Sequence, residues 1–403
     1  MRVSSEAISF LGMQSMLDPL WPRLTSFRLV DGPGFGWDVS YIPTFLTFLS
    51  PKITALTLAL PLLHDALLQP MVAIASDRCR RLQELVLDTG TSGPYPTDAV
   101  EGLITACRDT LRTLEIRSPF KAEHLPVIAN LPQLRSLRLG RAQIPPNLPS
   151  SIFPSLEEFI VLRSNGELQH FFKRLRTVGL KTVKIHCLDF FRAVEEPMAA
   201  LSRFSASLEV LEISGVANLK LPSAVVPRPV FTNLRILYVG CLRWENGAHH
   251  GPCTFQSTNE SVAELGAAMP NITHLTLGSP TCPNLRCVTF LSLVSLSKAC
   301  QGLEILMIRV DFRSMVVPSL RGSEEVDTGA TFDRTQGSGC KLRKLIVGLS
   351  TLPNHPDSGW IVATGLWNLF PFLSEVVGSD QDGWGKVGRN IKMIRQVLRT
   401  IQQ

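Results

Sequence analysis

Apolar and polar residues alternate along this chain in one short recurring pattern, L-x-x-L-x-L, with a large aliphatic residue or phenylalanine at the first, fourth and sixth places. It is read at Leu24/Phe27/Leu29, Ile53/Leu56/Leu58, Leu82/Leu85/Leu87, Leu111/Leu114/Ile116 and Leu134/Leu137/Leu139. Copies continue at Leu156/Phe159/Val161, Leu180/Val183/Ile185, Leu208/Leu211/Ile213 and Leu234/Leu237/Val239. The last are Ile272/Leu275/Leu277, Leu303/Leu306/Ile308, Leu342/Leu345/Val347 and a degraded copy at Leu373/Val376. Each copy predicts a strand whose fourth and sixth residues face a core while the third and fifth face the other way. Successive copies begin 29, 29, 29, 23, 22, 24, 28, 26, 38, 31, 39 and 31 residues apart.

A fixed short motif at a period in the twenties is the sign of a leucine-rich repeat, one strand plus one helix or loop per turn. The expected fold is α/β: a leucine-rich-repeat solenoid, or horseshoe, of about 13 strand-plus-helix/loop repeats with a parallel concave sheet. A cap or remnant is expected over 1–19, the solenoid over 20–380, and a capping helix over 386–403. Helical spacing appears over Leu62 to Arg80, with Leu63, Leu67, Leu68, Met71, Val72 and Ala75 as its stripe. Further helices are expected from Thr97 through Cys107 and from about Asn259 to Met269. Pro145-Pro146-Asn147-Leu148-Pro149 cannot be regular helix. Repeats of 22 to 24 residues leave room for one helical turn, and those of 28 or more for two or three.

Two intervals exceed the period, at 240–258 and 311–340, and insertions of this kind emerge from one face of a solenoid and often take part in binding. Cys79, Cys107, Cys300 and Cys340 recur two to four residues before a strand's first leucine, which predicts packing thiols under the preceding turn. The final helix is basic and amphipathic: Val387, Ile391, Ile394, Leu398 and Ile401 lie on one side, with Lys386, Arg389, Lys392, Arg395 and Arg399 uncompensated by acid. A polar-faced cap is one reading; a membrane surface or an acidic partner is the other.

Composition adds limits. Only 18% of residues are charged against 45% hydrophobic, as suits repeats that share a continuous interior. A net charge of +6 is well short of a phosphate-tracking surface, so no nucleic-acid partner is expected. No apolar run approaches the ~18 residues of a membrane span, and Met1 to Leu20 has no secretory pattern. Nine dispersed cysteines argue against a disulfide framework, placing the chain in the cytoplasm or nucleus.

Catalytic motifs are missing: no nucleophile elbow, no phosphate-binding loop, no His-Glu-x-x-His. The glycine clusters Gly32-Pro-Gly-Phe-Gly36 and Gly383-Trp-Gly-Lys-Val-Gly388 read as turns. Cys241, His249, His250 and Cys253, with Cys282 and Cys287, are the best metal candidates by ligand type, but lack zinc-site spacing. No catalytic residue, metal or cofactor is assigned, and the chain is read as a non-enzyme.

The third, fifth and seventh strand positions are the candidate protein-binding surface. They carry an acidic stretch, Glu84, Asp88 and Glu115, beside a basic one, Arg117, Arg138 and Lys184. His186, Tyr238, His274, Met307 and Arg309 complete the set, the later strands being more apolar through Ile236 and Ile305. Tyr, Arg and Met are enriched among residues that anchor protein partners, whereas mixed charge disfavours a nucleic-acid groove.

Strands preceded by cysteine, as in Arg78-Cys-Arg-Arg-Leu-Gln-Glu-Leu-Val-Leu87 and Ala299-Cys-Gln-Gly-Leu-Glu-Ile-Leu-Met-Ile308, resemble those of F-box/leucine-rich-repeat proteins. The segments from Leu20 and Leu49 are similar to the fungal F-box-associated set, and the resemblance covers about Leu20 to Val377. It implies a protein substrate held by the repeats, and an F-box that binds the Skp1 adaptor of a cullin-RING ubiquitin ligase. Met1 to Pro19 lacks the length and the Leu-Pro-x-Glu-type opening of an F-box. The two expectations are a ligase substrate receptor and a stand-alone interaction scaffold.

Overall fold

The computed structural model of the 403-residue chain describes residues 23–30, 48–59, 65–88, 97–120, 124–142, 144, 152–164, 168–187, 195–215, 231–241, 257–279, 287–313, 315 and 339–402. They form two compact units, Met1–Leu188 and Asp189–Gln403. The fold is α/β, built from repeating parallel strand–helix units.

The first unit contains strands β1 (Ser26–Val30), β2 (Ala55–Ala59), β3 (Glu84–Asp88), β4 (Thr113–Phe120), β5 (Ser136–Ala142), β6 (Glu158–Ser164) and β7 (Thr182–Cys187). They lie parallel in chain order, with Phe27, Leu56, Leu85, Leu114, Leu137, Phe159 and Val183 in one row. Every residue of that row is buried, as is the row two positions on, so the leucine spacing alone sets the register. Behind the strands lie helices α1 (Asp65–Arg78), α2 (Thr97–Ala106), α3 (Leu125–Ala129) and α4 (Leu168–Arg174). Their lengths follow the repeat period: 14 and 10 residues in the longer repeats, five and seven in the shorter.

The second unit contains α5 (Glu195–Leu201), β8 (Val210–Gly215), β9 (Ile236–Cys241), α6 (Asn259–Ala268), β10 (His274–Leu277), β11 (Val288–Thr289), α7 (Phe290–Ala299) and β12 (Ile305–Ile308). It continues with β13 (Val310–Asp311), β14 (Lys344–Gly348), α8 (Ser358–Leu369), β15 (Glu375–Gly378) and α9 (Gln381–Gln402). The sheet order is β8-β9-β10-β12-β14-β15, all parallel, while β11 pairs with β13. Each of the thirteen sequence copies is thus a strand. The degraded last one pairs Val376 with Leu345, although Val376 is only half-buried. The expected cap 1–19, Pro145–Pro149 and most of 240–258 and 311–340 lie outside the described residues.

One carbonyl per turn ties the strands together at their entry. The oxygen of Thr54 accepts from the N–H groups of both Gln83 and Glu84; Gln83 serves Arg112 and Thr113, and Arg112 serves Arg135 and Ser136. In the second unit Arg235, Thr273, Glu304 and Arg343 each serve the next strand likewise. Side chains reinforce the stack: Thr110 donates to the Leu82 carbonyl at 2.7 Å, Ser155 to Pro132 at 2.7 Å and Asn271 to Thr232 at 2.7 Å.

The cysteines belong to this stacking. The Cys107 thiol donates to the Cys79 carbonyl at 3.2 Å, and Cys340 to that of Cys300 at 3.4 Å. Burial is the first cause that pushes Cys79 and Cys300 to about 12 and Cys107 to about 11. A thiol that stays protonated is a packing group and a weak donor, not a nucleophile.

The last helix departs from expectation. It begins at Gln381, not Lys386, so Gly383 to Gly388 lies within a helix and not in a turn. Two local facts overcome the glycines' poor helix propensity. The Asp380 carboxylate accepts from the Asp382 and Gly383 N–H groups at 3.1 and 3.2 Å, satisfying first-turn donors. Trp384, Val387 and Ile391 are buried, so tertiary packing holds the turn in place.

Candidate functional site

The face of each sheet opposite the leucines carries the third and fifth positions, exposed or half-exposed except for buried Val86. The two units present different chemistry there.

On the first unit the charges interleave. Arg117 Nε donates to Glu115 Oε1 at 2.6 Å while its Nη1 lies 3.8 Å from Asp88. Arg138 approaches the other Glu115 oxygen at 4.0 Å and holds Glu158 at 3.1 Å. Glu158 also accepts from the Ser136 hydroxyl at 2.5 Å. The register explains the order, since it places Val86, Glu115, Arg138 and Ile160 in one row and Ser136 beside Glu158. The hydrogen bond to Glu115, foremost, and the charges of Glu115 and Asp88 hold the Arg117 guanidinium more firmly protonated than usual, against a smaller effect of burial.

The acidic and basic stretches expected side by side are therefore one alternating chain of ion pairs across β3 to β6. Three carboxylates and two guanidiniums thus largely offset one another, with one negative charge in excess. Glu158 completes the chain and is not among the expected site residues; its third position, two residues past Leu156, is the available signal. Glu84 stands exposed on β3, and Lys184 and His186 lie half-exposed on β7, one strand past the ion pairs.

On the second unit the outer face loses most of its charge after β8, whose Glu212 stands beside Tyr238. The fifth-position row reads Tyr238, Thr276, Met307, Ile346 and Val377 on five neighbouring strands. With strands about 4.8 Å apart, this uncharged row runs roughly 19 Å. Beside it the third-position row reads Ile236, His274, Ile305, Lys344 and Glu375. Its only charged pair closes on itself, Lys344 Nζ lying 2.8 Å from Glu375. His274 Nδ1 is 2.9 Å from the Thr273 hydroxyl.

Past the uncharged row glycines stand at or beside the strand ends. Gly240, Gly278, Gly348 and Gly378 flank Arg309, which follows β12. A side chain at Gly240 would press on the Tyr238 ring at 3.2 Å, so the glycine leaves that ring its place. Gly278 and Gly348 have φ of 73° and 52°, the left-handed region that favours glycine. The outcome is an apolar ridge beside a low strip of backbone with one arginine in it.

Of the expected residues, Tyr238 and Met307 thus share one row, with His274 and Arg309 on either side of it. Sequence reading placed Ile346 on this face but not among the site residues, and it did not reach Val377 because the last repeat is degraded. Alternation counted from Leu373 would have found it.

Cys241 ends β9, Cys287 is half-buried before β11, and His249, His250, Cys253 and Cys282 lie outside the described residues. Among the described residues no three His, Cys, Asp or Glu side chains are grouped to hold a metal ion, and no helix is long and apolar enough to cross a membrane. No family model matches the chain, and no curated protein is significantly similar to it in sequence.

Proposed function

We propose that this chain is a leucine-rich-repeat protein whose second unit binds a protein partner on the outer face of its sheet. The observation that carries the reading is the uncharged row Tyr238, Thr276, Met307, Ile346 and Val377, with Ile236 and Ile305 next to it. Ile236 and Val377 are exposed and Tyr238, Ile305, Met307 and Ile346 half-buried; apolar surface left to water on an ordered sheet costs free energy, and burying it against a partner recovers it. Tyrosine and methionine supply large contact area, and a rim of Lys344, Glu375 and Arg309 supplies directional contacts.

The resemblance to F-box/leucine-rich-repeat proteins gives this binding a setting: the repeats are the substrate-recognition part of a Skp1-cullin-F-box ubiquitin ligase. The other setting is a stand-alone scaffold with the same face and no ligase link. Affinity purification from the protein's own cells, followed by mass spectrometry, tests both. The wild-type chain is compared with a Met307→Asp/Ile346→Asp variant, each charge being placed at the centre of the row. Loss of one set of proteins in the variant is the expected result, and an unchanged set would refute the face. Skp1 and cullin retained by both proteins would support the ligase setting; their absence from both would leave the scaffold.

A further inference from the structure

Positive charge collects where the chain of the first unit turns into its early strands. Arg23, Lys52 and Arg81 each stand immediately before the first residue of a repeat motif, three places before Ser26, Ala55 and Glu84, which pair in one row. Lys52 and Arg81 sit in matching turns, closed by the Ile53 N–H on the Ser50 carbonyl at 3.0 Å and the Leu82 N–H on that of Cys79 at 3.1 Å. Arg80 belongs to the second of these turns, and its carbonyl accepts from the Thr110 hydroxyl at 3.4 Å. That contact sets it beside the turn that carries Arg108 and Arg112, two residues either side of Thr110. With strands about 4.8 Å apart, the strip crosses β1 to β4 in roughly 14 Å.

All six cations are exposed, and none has an ion pair or a side-chain hydrogen bond among the described residues. Asp77, Glu84 and Asp109 beside them are exposed too and lie beyond ion-pair distance. Cations suit the C-terminal ends of helices such as α1 and α2, yet the fold does not require them in these turns. The position before the motif's first residue is Gln133 after α3, Asn271 after α6 and Gly302 after α7. Like charges on neighbouring strands repel, so the strip carries an unfavourable term that a bound anion would remove.

Five of the six cations are arginine, whose planar fork takes a carboxylate or a phosphate by two hydrogen bonds. The surroundings select the carboxylate. Among the described residues of the strip no aromatic side chain is exposed, so nucleobases would have no ring to stack on. No large apolar side chain is exposed there to enter a lipid surface. Glu84 and Asp109 interrupt the positive charge, which repels a uniformly charged phosphate backbone but admits a peptide with neutral residues at those places.

We infer that this strip docks a linear acidic segment of a partner protein, with several of its carboxylates held by Arg23, Lys52, Arg80, Arg81, Arg108 and Arg112. The site lies on the first unit and does not rest on the sheet face proposed for the second.

The probe is a fluorescein-labelled peptide of about six glutamates, which spans roughly 20 Å when extended. Its counterpart carries glutamine in place of glutamate. Fluorescence anisotropy with the full chain at about 0.15 M salt should show the glutamate peptide bound and the glutamine peptide free, the affinity falling as salt rises. Arg80→Ser/Arg81→Ser should weaken binding at least about tenfold. Lys392→Ser/Arg399→Ser, which removes the same charge from exposed positions on α9, should leave it within about twofold. All four replaced side chains are exposed, so an unchanged unfolding midpoint checks that both variants remain folded. Four outcomes would overturn the inference: no binding of the glutamate peptide, an equal loss in both variants, equal or tighter binding of a uridylate oligomer of the same length, or retention on phosphatidylserine vesicles that Arg80→Ser/Arg81→Ser removes.

Discussion

The indole of Trp384 meets the ring of Phe312 edge-on, with centroids 5.3 Å apart and planes inclined at 66°. Its N–H donates to the Ser350 carbonyl at 3.2 Å, so the one polar atom of a fully enclosed side chain is satisfied. Ser350 in turn donates to the Val347 carbonyl and accepts from the Val310 N–H. One residue of α9 therefore joins the helix to β13 and β14. Trp384→Ala is expected to cost the second unit about 3–5 kcal/mol, the range for a buried aromatic cut to alanine. Denaturant titration measures the loss, and limited proteolysis should cut α9 before the rest of the unit.

Gly378 makes the same junction possible from below. A Cβ at that position would overlap the Trp384 ring. Gly378→Ala should therefore displace α9 and cost more than Gly388→Ala, a glycine of the same helix with open space around it. The latter should be neutral or stabilising, because alanine is the better helix former by up to about 1 kcal/mol. Thermal unfolding of the two variants compares them directly; an equal loss in both would contradict the packing described.

These contrasts show what the sequence could disclose. The strands were legible because a leucine in every third or second place has one physical use, and the pairing of Leu56 with Leu85 or Leu275 with Leu306 follows from it without adjustment. The start of α9 was not, because Gly383, Gly385 and Gly388 argue locally for turns. Besides the Asp380 cap, the pocket that receives Trp384 makes them helical, and that pocket is assembled from residues as distant as Phe312 and Ser350. The candidate face was legible in part. Which residues point outward is a matter of alternation, whereas the mutual neutralisation of Asp88, Arg117, Glu115, Arg138 and Glu158 depends on which strands are neighbours and on side-chain reach.

Glu115 is the hub of that charged chain, being approached by two guanidiniums while only 17% of its side chain is exposed. Glu115→Ala leaves Arg117 and Arg138 facing each other without the intervening carboxylate. The expected cost is about 1 kcal/mol, near the upper end for ion pairs that water reaches, and it should shrink as salt is added. Lys181→Ala removes a pair with Glu157 in which the lysine is 52% exposed, and should cost less. Urea titrations at low and high ionic strength separate the two; a larger loss for Lys181→Ala would rule out the hub.

The buried cysteines give the last prediction, one with a definite sign. Burial raises Cys79 from the ordinary 9.0 to about 12, Cys300 to about 12 and Cys107 to about 11, because the charged thiolate loses its water. In the unfolded chain the same thiols ionise near 9. The native state therefore holds protons that the unfolded state releases, and by linkage its stability falls as pH rises from about 9 toward 12. Below pH 9 this contribution is fully present and constant. Raising the pH through this window should lower the unfolding midpoint, and Cys79→Ala/Cys300→Ala should flatten that part of the slope while costing some packing at neutral pH. Labelling follows the same logic: at pH 8 iodoacetamide should modify half-buried Cys287 well before Cys79, Cys107, Cys300 or Cys340, all of them buried. Peptide mapping after a timed reaction reads the order, and early modification of Cys79 or Cys300 in the folded protein would show that the thiols are not part of the packed stack.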